Sequence, residues 1–247
     1  MTNHYIPEPL DLGPASVRWV TPAGREMKML ADSSVLDKEL YTAEQFRFGH
    51  KYPRQKNVHG VYYFSQVSHH VWHESLLESS ILTWLDHHTD VVAIAAQPVE
   101  IIFGDGSTHI PDFLTMRADN SQVLIDVKPT KYLGEKARLQ FDKTLAVCTR
   151  IGWQYEVHTE LPRQMQINLA WIGAFRHPSF HPGADAVARL LAAMTLPTMS
   201  LLDAARSLGL GALPRERAAI YHLIYSRDLT IDNSLPLSDA TLIRKAA

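Results

Sequence analysis

The alternation of apolar and polar residues predicts a mixed α/β core in the middle of the chain. Residues 75–86 carry apolar side chains at helical spacing and predict a helix. A second helix is predicted over 131–151, after Pro129, and Gly152 ends it. Short β-branched runs predict strands over 91–96, 99–103, 112–117, 122–128 and 153–159. This order predicts a mixed sheet flanked by helices.

Helical patterns dominate after a proline- and glycine-rich stretch at residues 176–183. Helices are predicted over 184–194, 201–208 and 215–226, and extended segments over 229–231 and 236–237. A helix, a turn, a helix and a strand in this order are typical of a winged helix-turn-helix. We therefore predict a first domain over 1–172, whose residues 1–60 are a poorly readable extension, and a small winged-helix domain over 173–247.

Two acidic residues and a lysine occur at the ends of two neighbouring predicted strands. If the segments 112–117 and 122–128 pair as a hairpin, Asp112, Asp126 and Lys128 meet at its open end. Two carboxylates beside one lysine can hold a divalent cation and direct a water molecule at a phosphodiester. The pattern therefore indicates a metal-dependent nuclease.

The length of the connecting loop decides whether the two aspartates share a face of the hairpin. Side chains alternate along a strand, so Asp126 and Lys128 lie on the same face. The opposite, buried face is predicted to carry Val123, Ile125 and Val127. Asp112 joins the Asp126 face when the loop has an odd number of residues, for example 119–121, whereas an even number turns Asp112 towards the core.

The helix predicted before the hairpin offers a third acid. Glu78 is the candidate ligand, and Glu74 lies one turn earlier on the same face. Ser75-Leu76-Leu77-Glu78 is also a capping box, in which the glutamate accepts a hydrogen bond from the backbone at the start of the helix. The spacing leaves both roles open for Glu78.

These residues follow the pattern of a known family. Glu78, Pro111-Asp112 and Asp126-Val127-Lys128 match the E…PD…(D/E)xK order of restriction-endonuclease-like nucleases. With the flanking residues, the chain from about Gly60 onwards resembles the TnsA-like endonuclease subunits of heteromeric transposases. The flanking matches are Glu74 to Leu77, Ala96-Gln97-Pro98, His109-Ile110, Phe113-Leu114, Pro129 and Gly152 to Val157. The resemblance implies a restriction-endonuclease-like PD-(D/E)xK nuclease domain over 1–172.

The resemblance also implies an activity and partners. Such subunits nick double-stranded DNA at the 5′ ends of a transposon, while a DDE-type, TnsB-like transposase handles the 3′ ends and an AAA+, TnsC-like ATPase regulates both. Glu78, Asp112, Asp126 and the carbonyl of Val127 are implied as ligands of Mg²⁺, with Mn²⁺ as a substitute. Lys128 is implied to orient or deprotonate the attacking water. The best-known member of the family has glutamine in place of Asp126, and aspartate restores the commoner nuclease pattern.

The charge of the chain neither indicates nor excludes a DNA partner. The formal net charge is −2, whereas DNA-binding chains commonly carry a basic footprint. Residues 128–150 contain six basic residues against two acidic ones. Lys131 and Lys136 in this stretch, together with Gln97, are candidate DNA contacts, although a basic run is more often a solvated helix face.

Composition indicates a soluble intracellular protein. Cys148 is the single cysteine, which rules out an internal disulfide framework and indicates a reducing compartment. No apolar stretch approaches the roughly 18 residues of a membrane helix, and the first residues do not form a signal-peptide pattern. We expect a cytoplasmic protein without a membrane partner.

Histidines and arginines outside this pattern each have two interpretations. His69, His70 and His73 could form a metal cluster, but their spacing fits a surface run better. His109 could contact a phosphate, but a position on the surface of the hairpin is the favoured interpretation. Three arginines of the second domain could form a basic recognition surface or a solvated helix face: Arg215, Arg217 and Arg227.

Two alternatives to the transposase subunit stay open. The first is a stand-alone restriction or repair nuclease of the same fold. The second is a catalytically silent DNA- or protein-binding module on a nuclease scaffold, against which the complete set of Glu78, Asp112, Asp126 and Lys128 argues.

Overall fold

The computed structural model describes residues 4–5, 13–46 and 58–246 and divides the chain into two compact units. The first unit ends at Glu160 and the second begins at Leu161, whereas the sequence placed the boundary after residue 172. A helix over Arg163–Gly173, which the sequence did not predict, packs within the second unit against the helix over Leu213–Tyr225. The division therefore falls before this helix.

The first unit mixes strands and helices. Its α-helices are α1 (Leu76–His88) and α2 (Glu135–Ile151), and short 3-10 turns cover Ser33–Asp37, Leu40–Thr42 and Thr130–Tyr132. Its strands are β1 (His4–Tyr5), β2 (Ser16–Val20), β3 (Glu26–Leu30), β4 (Gly60–Phe64), β5 (His69–His73), β6 (Val91–Ala96), β7 (Glu100–Ile102), β8 (Thr108–His109), β9 (Phe113–Arg117), β10 (Gln122–Val127) and β11 (Gln154–His158). This mixed α/β architecture is compatible with a nuclease fold.

The central sheet has five strands in the order β1, β11, β10, β9, β6. β9 and β10 form an antiparallel hairpin, and β10 runs parallel to β11. α2 lies between these two parallel strands in the chain, because parallel neighbours need a long crossover connection. The described part of residues 1–60 is more than an extension, since β2 pairs with both β3 and β7 in a sheet of order β3, β2, β7, β8.

Both faces of β10 are buried. Val123, Ile125 and Val127 are buried as the alternation predicts, but Leu124 and Asp126 are buried as well, at 0% and 4% exposure. Leu124 belongs to the same apolar cluster as three residues of α2, namely Val147, Cys148 and Ile151. Strands covered on both sides lose the simple alternation of apolar and polar residues. The face that carries Asp126 is therefore covered, and the prediction of a single buried face was wrong.

α2 begins at Glu135 and not at the predicted Lys131. Residues before it are held in a separate 3-10 turn, because Glu160 accepts hydrogen bonds from the Thr130 nitrogen (3.0 Å) and hydroxyl (2.6 Å). Gly134 then serves as the N-cap of the helix. The turn keeps Lys131 exposed just beyond the end of β10.

The second unit contains four helices and three short strands within its described residues. They are α3 (Arg163–Gly173), α4 (Ala184–Ala193), β12 (Met199–Ser200), α5 (Leu201–Ser207), α6 (Leu213–Tyr225), β13 (Leu229–Ile231) and β14 (Leu242–Lys245), with a 3-10 turn over Pro178–Phe180. β14 pairs with β12 and β13. The extended segment predicted at Pro236-Leu237 is not a strand, and Pro236 has no backbone N–H to donate to a sheet.

None of the helices in the described parts of the chain combines the length and apolar character needed to cross a bilayer.

Candidate active site

The turn between β9 and β10 sets the register of the hairpin. Asn120 adopts a left-handed backbone conformation with φ of 65°, which asparagine tolerates better than most residues, and its N–H donates to the Arg117 carbonyl at 2.9 Å. Met116 pairs with Gln122, so an odd number of residues connects the paired positions. The register continues to Phe113 opposite Ile125. One step further, Asp112 comes across from Asp126, which is the parity that the site requires.

Asp112 leaves the regular ladder at this point. Its backbone N–H donates to the Ile125 carbonyl at 3.1 Å, and its Oδ2 accepts a hydrogen bond from the Val127 nitrogen at 2.7 Å. Burial raises the pKa of this carboxyl well above its usual 3.8, and the negative charges of Asp126 and Glu78 raise it further. The carboxylates therefore lie near enough to repel one another, as in sites that concentrate negative charge for a cation.

Glu78 has the capping role that its spacing allows. Ser75 is the N-cap of α1, and its hydroxyl accepts from the Glu78 nitrogen at 3.2 Å. The Glu78 carboxylate accepts in return from the Ser75 hydroxyl at 2.7 Å and the Glu74 nitrogen at 2.6 Å. The cap does not remove Glu78 from the site, since its charge acts on Asp112. Both interpretations of Glu78 are therefore compatible with the geometry.

Asp126 is held by two side chains that the sequence did not assign to the site. His109 Nε2 lies 2.8 Å from Asp126 Oδ2, and the Tyr155 hydroxyl donates a short hydrogen bond to the same oxygen. Burial raises the pKa of the Tyr155 hydroxyl well above 10, so this residue is a neutral donor at neutral pH. The prediction that His109 lies on the hairpin surface was wrong, because His109 is 8% exposed.

The sequence contained only weak signals for these two residues. His109 occurs three residues before Asp112, in a segment too short to show a strand pattern. Tyr155 lies between Trp153 and Val157 in the alternation of β11, and all three positions read as ordinary sheet residues. Their contact with Asp126 joins residues 17 and 29 positions away, and such long-range contacts have no local pattern.

Lys128 follows directly after β10. Its backbone N–H donates to the His158 carbonyl at 2.8 Å, which extends the parallel pairing by one step. Its side chain is half-buried, and its ammonium makes no hydrogen bond or ion pair with any residue that the structure describes. The lysine is therefore positioned by the backbone, while its charge is left available for an anionic group.

Gln97 lies beside the site but is buried, at 2% exposure. Its backbone N–H donates to the Asp112 carbonyl at 2.8 Å, which ties the end of β6 to the start of β9. It has a φ of 47°, and its side-chain Oε1 has no hydrogen-bond partner among the described residues. Burial argues against the predicted DNA contact, whereas strained backbone and an unsatisfied polar group often occur at functional sites.

The remaining predicted DNA contacts are exposed. Lys131 and Lys136 are both exposed in the segment that follows β10. The Lys131 ammonium lies 4.8 Å from the centre of the Tyr132 ring, and the Tyr132 side chain is 58% exposed. This segment presents cationic and aromatic groups to solvent close to Lys128.

The histidines of β5 do not gather into a metal site. His69 and His70 are exposed, as the surface interpretation predicts, but His73 is buried and its burial lowers its pKa. In the described ranges, no group of three or more histidine, cysteine, aspartate or glutamate side chains is arranged to hold a metal ion. The surface interpretation is therefore retained for His69 and His70.

The hairpin carboxylates likewise do not belong to such a preformed group among the described residues, although carboxylate oxygens suit a hard cation. Asp112 and Asp126 are each held through Oδ2, and no residue in the described part of the chain donates to either Oδ1. Mg²⁺ accepts carboxylate and carbonyl oxygens and keeps several waters, so two carboxylates and one carbonyl are an adequate protein contribution. The donor set therefore fits magnesium, with water completing its coordination.

The part of the chain that carries this hairpin matches a model of a known protein family. Residues 88–160 match the family model described as TnsA-like endonuclease N terminal. This segment therefore resembles the N-terminal part of TnsA-like endonucleases. The match includes Asp112, Asp126 and Lys128, whereas Glu78 and the whole second unit lie outside it. A comparison with curated proteins found no match to the chain.

The matched family is one of endonucleases, and the match leaves residues 1–87 and 161–247 uncovered. The matched segment also contains His109 and Tyr155, which contact Asp126, and Gln140, which contacts His109. The resemblance stated from the sequence is confirmed over this segment.

Proposed function

We propose that this chain is a metal-dependent DNA endonuclease subunit of a transposase, which hydrolyses phosphodiester bonds at transposon 5′ ends in concert with a DDE-type transposase. The single observation that carries the proposal is the proximity of the Asp112 and Asp126 carboxylates at the open end of the β9–β10 hairpin, just before Lys128 and inside the TnsA-like segment. An AAA+ ATPase regulator completes the proposed system.

Each residue of the site has a distinct proposed role. Asp112, Asp126 and Glu78 hold Mg²⁺ together with the Val127 carbonyl, and Mn²⁺ substitutes for it. When bound, the cation supplies Lewis acidity, which makes a water molecule acidic and polarises the phosphate. The Lys128 ammonium orients the attacking water and offsets the negative charge that builds on the phosphate oxygens.

The proposed reaction is a simple hydrolysis. The oxygen of water forms a bond to phosphorus in line with the departing 3′-oxygen, and the bond between phosphorus and that oxygen breaks. The products are a 5′-phosphate and a 3′-hydroxyl: the attacking water loses one proton to solvent, and the departing 3′-oxygen takes one up from solvent. We infer that sequence specificity comes from the partners, which the net charge of −2 supports, since chains that bind DNA by themselves commonly carry a basic footprint.

The decisive experiment measures cleavage of each DNA strand separately. Asp112→Asn is introduced into the full chain, which is combined with the partner transposase, the ATPase and a donor plasmid, and cuts are mapped at each strand of each end. We expect loss of cleavage at the 5′ ends with retained cleavage at the 3′ ends, because the partner cuts the latter. The control is Asp37→Asn, an exposed aspartate of the same unit, which leaves both cuts unchanged.

Two other outcomes reject parts of the proposal. Unchanged 5′ cleavage by Asp112→Asn rejects catalysis by this site and favours a silent binding module. Efficient cleavage by the purified chain without partners favours the stand-alone nuclease. Circular dichroism of the variant and its retention in the complex establish that it is folded.

The second unit is proposed to be a winged helix-turn-helix that docks the nuclease to the transposition machinery. The order α4, β12, α5, α6, β13, β14, with β14 between β12 and β13, supports this assignment. Arg217 forms two hydrogen bonds with the Asp239 carboxylate, at 3.0 and 2.5 Å, which lowers its availability to DNA. Arg215→Glu, at an exposed position, tests the docking role: weaker recruitment of the partners with unchanged DNA affinity supports it, and the reverse favours a DNA contact.

A further inference from the structure

The Asp126 carboxylate is held by a relay of side chains from three elements. Gln140 on α2 contacts His109 on β8, and His109 together with Tyr155 on β11 contacts Asp126. Both contacts fall on the same carboxylate oxygen, Oδ2. A carboxylate with one oxygen held by two donors from different strands cannot rotate about its terminal bond without breaking both hydrogen bonds.

The two nitrogens of the His109 ring have separate partners. The Gln140 amide lies within hydrogen-bond distance of Nδ1, and Nε2 lies 2.8 Å from Asp126 Oδ2. The imidazole therefore bridges α2 and the Asp126 carboxylate.

We propose that His109 and Gln140 form a positioning pair for Asp126, which holds Oδ2 and so presents Oδ1 to the divalent cation. This inference rests on the proposed function, because it assigns Asp126 to the cation. The physical basis is that the partners of a ligating carboxylate fix its orientation, and their loss typically weakens metal binding by about 10- to 100-fold. Neither residue is among the proposed ligands of the cation.

The burial of the relay favours a dedicated role. His109 is 8% exposed and Asp126 is 4% exposed, so the hydrogen bond between them is screened from water. Buried polar groups are costly unless they are satisfied, and here each nitrogen of the imidazole has a partner. A second pair of the same kind lies on β11, where His158 Nε2 is 2.8 Å from Glu156 Oε2. That pair provides a matched control.

The test measures Mn²⁺ binding to the purified full chain without DNA, by electron paramagnetic resonance of the free ion. His109→Phe keeps a ring of similar size, and Gln140→Met keeps the length of the side chain without the amide. We expect both variants to bind Mn²⁺ about 10-fold more weakly than the wild type. In the assembled system, we expect the metal concentration for half-maximal 5′ cleavage to rise, with a rate at saturating metal close to that of the wild type.

The control variant is His158→Phe, which removes a buried histidine–carboxylate pair outside the relay. It is expected to lower stability without changing Mn²⁺ affinity. Unchanged Mn²⁺ affinity in Gln140→Met, whose side chain is half-buried and whose fold is checked by circular dichroism, overturns the positioning role even if His109→Phe fails to fold. Equal losses in His158→Phe and His109→Phe overturn it as well.

Failure of the proposed function gives a different result. If Asp126→Asn binds Mn²⁺ as tightly as the wild type, the cation does not bind at this carboxylate, and both the metal site and the inference are rejected. If Asp126→Asn abolishes binding while His109→Phe and Gln140→Met do not weaken it, the metal site stands and the positioning pair is rejected.

Discussion

Asp112 accepts a hydrogen bond from the Val127 nitrogen through its side chain, at 2.7 Å, where a regular hairpin would place a backbone carbonyl. A carboxylate thereby closes the open end of the β9–β10 hairpin. The arrangement places a group that prefers water in a position where burial raises its pKa. The consequences for stability and activity can be separated by substitution.

Asp112→Asn is expected to stabilise the metal-free protein while it abolishes cleavage. The pKa of Asp112 is raised above 3.8 in the folded state, first by burial and then by Asp126 and Glu78. An acid of this kind favours folding while it is protonated, so stability falls as the pH rises from 3.8 through the raised pKa. At pH 7 the amide removes this penalty, and urea unfolding in the presence of a chelator should show a higher free energy of unfolding than the wild type. A lower free energy of unfolding for Asp112→Asn than for the wild type would contradict the penalty assigned to the buried carboxylate.

Glu78→Gln distinguishes the capping role from the site role. Glutamine retains an acceptor for the capping hydrogen bonds, so we expect little change in thermal stability and a large loss of 5′ cleavage. Ser75→Ala removes the other half of the cap and measures its contribution to stability alone, with an expected cost of about 1 kcal/mol. Full cleavage by Glu78→Gln would show that this glutamate only caps α1.

Gln97→Met is expected to raise the free energy of unfolding by about 1 kcal/mol, because it replaces an unsatisfied buried oxygen by an apolar group of similar length. Gln66→Met is the matched control and should destabilise, since Gln66 accepts from the Val91 nitrogen at 3.0 Å and donates to the Asp86 carbonyl at 2.7 Å. Chemical denaturation of both variants measures the difference. A loss of DNA affinity in Gln97→Met without a gain in stability would instead support the original DNA-contact interpretation.

Glu156 is expected to dominate the acid sensitivity of the central sheet. Burial raises its pKa, but hydrogen bonds from His158 and Arg117 outweigh burial and lower the pKa from 4.5 to about 2. A lowered acid pKa stabilises the fold above pH 4.5, and this contribution is lost as the pH falls from 4.5 towards 2. The shift corresponds to roughly 3 kcal/mol, given about 1.4 kcal/mol for each pKa unit.

Glu156→Gln tests this assignment through the pH dependence of unfolding. The variant should be less stable at pH 7 and should show a flatter stability profile between pH 4.5 and 2 than the wild type. Glu39→Gln, at an exposed position, should follow the wild-type profile. An unchanged slope in Glu156→Gln would assign the acid transition to other carboxylates.

Replacement of Lys131 and Lys136 by alanine is expected to weaken DNA binding to the same extent for different sequences. Contacts to phosphates release counterions, so each lost contact lowers the slope of log affinity against log salt by about 1. Fluorescence anisotropy at several salt concentrations measures the slope, and Lys38→Ala is the control at another exposed lysine of the same unit. A sequence-dependent loss would indicate base contacts instead.

Local patterns predicted those parts of the site that depend on short-range geometry. The strands around Asp112 and Asp126 and the helix that carries Glu78 follow from patterns over a few residues, whereas alternation gave the odd parity of the loop only as a requirement of the site. The turn at Asn120 is an example of short-range geometry, because its left-handed conformation depends on the residues of the turn alone. The cap at Ser75 was likewise predictable from four adjacent residues.

The contacts that bury Asp126 were not predictable in this way. His109 and Gln140 meet only after β8 and α2 pack on the central sheet, and neither residue belongs to a local motif. The start of α2 was missed for a related reason, since Glu160 holds Thr130 in a separate turn from 30 residues away. α3 was missed because Ile167 and Trp171 are exposed, which blurs the amphipathic pattern.

The odd parity of the β9–β10 turn limits how this domain can evolve if it keeps the proposed site. A single insertion or deletion between Arg117 and Gln122 would move Asp112 to the opposite side of the hairpin while leaving every strand residue intact. Length variation in this loop among functional descendants is therefore expected in steps of two residues. The length of a turn at the other end of the hairpin is thus constrained by the position that Asp112 must keep.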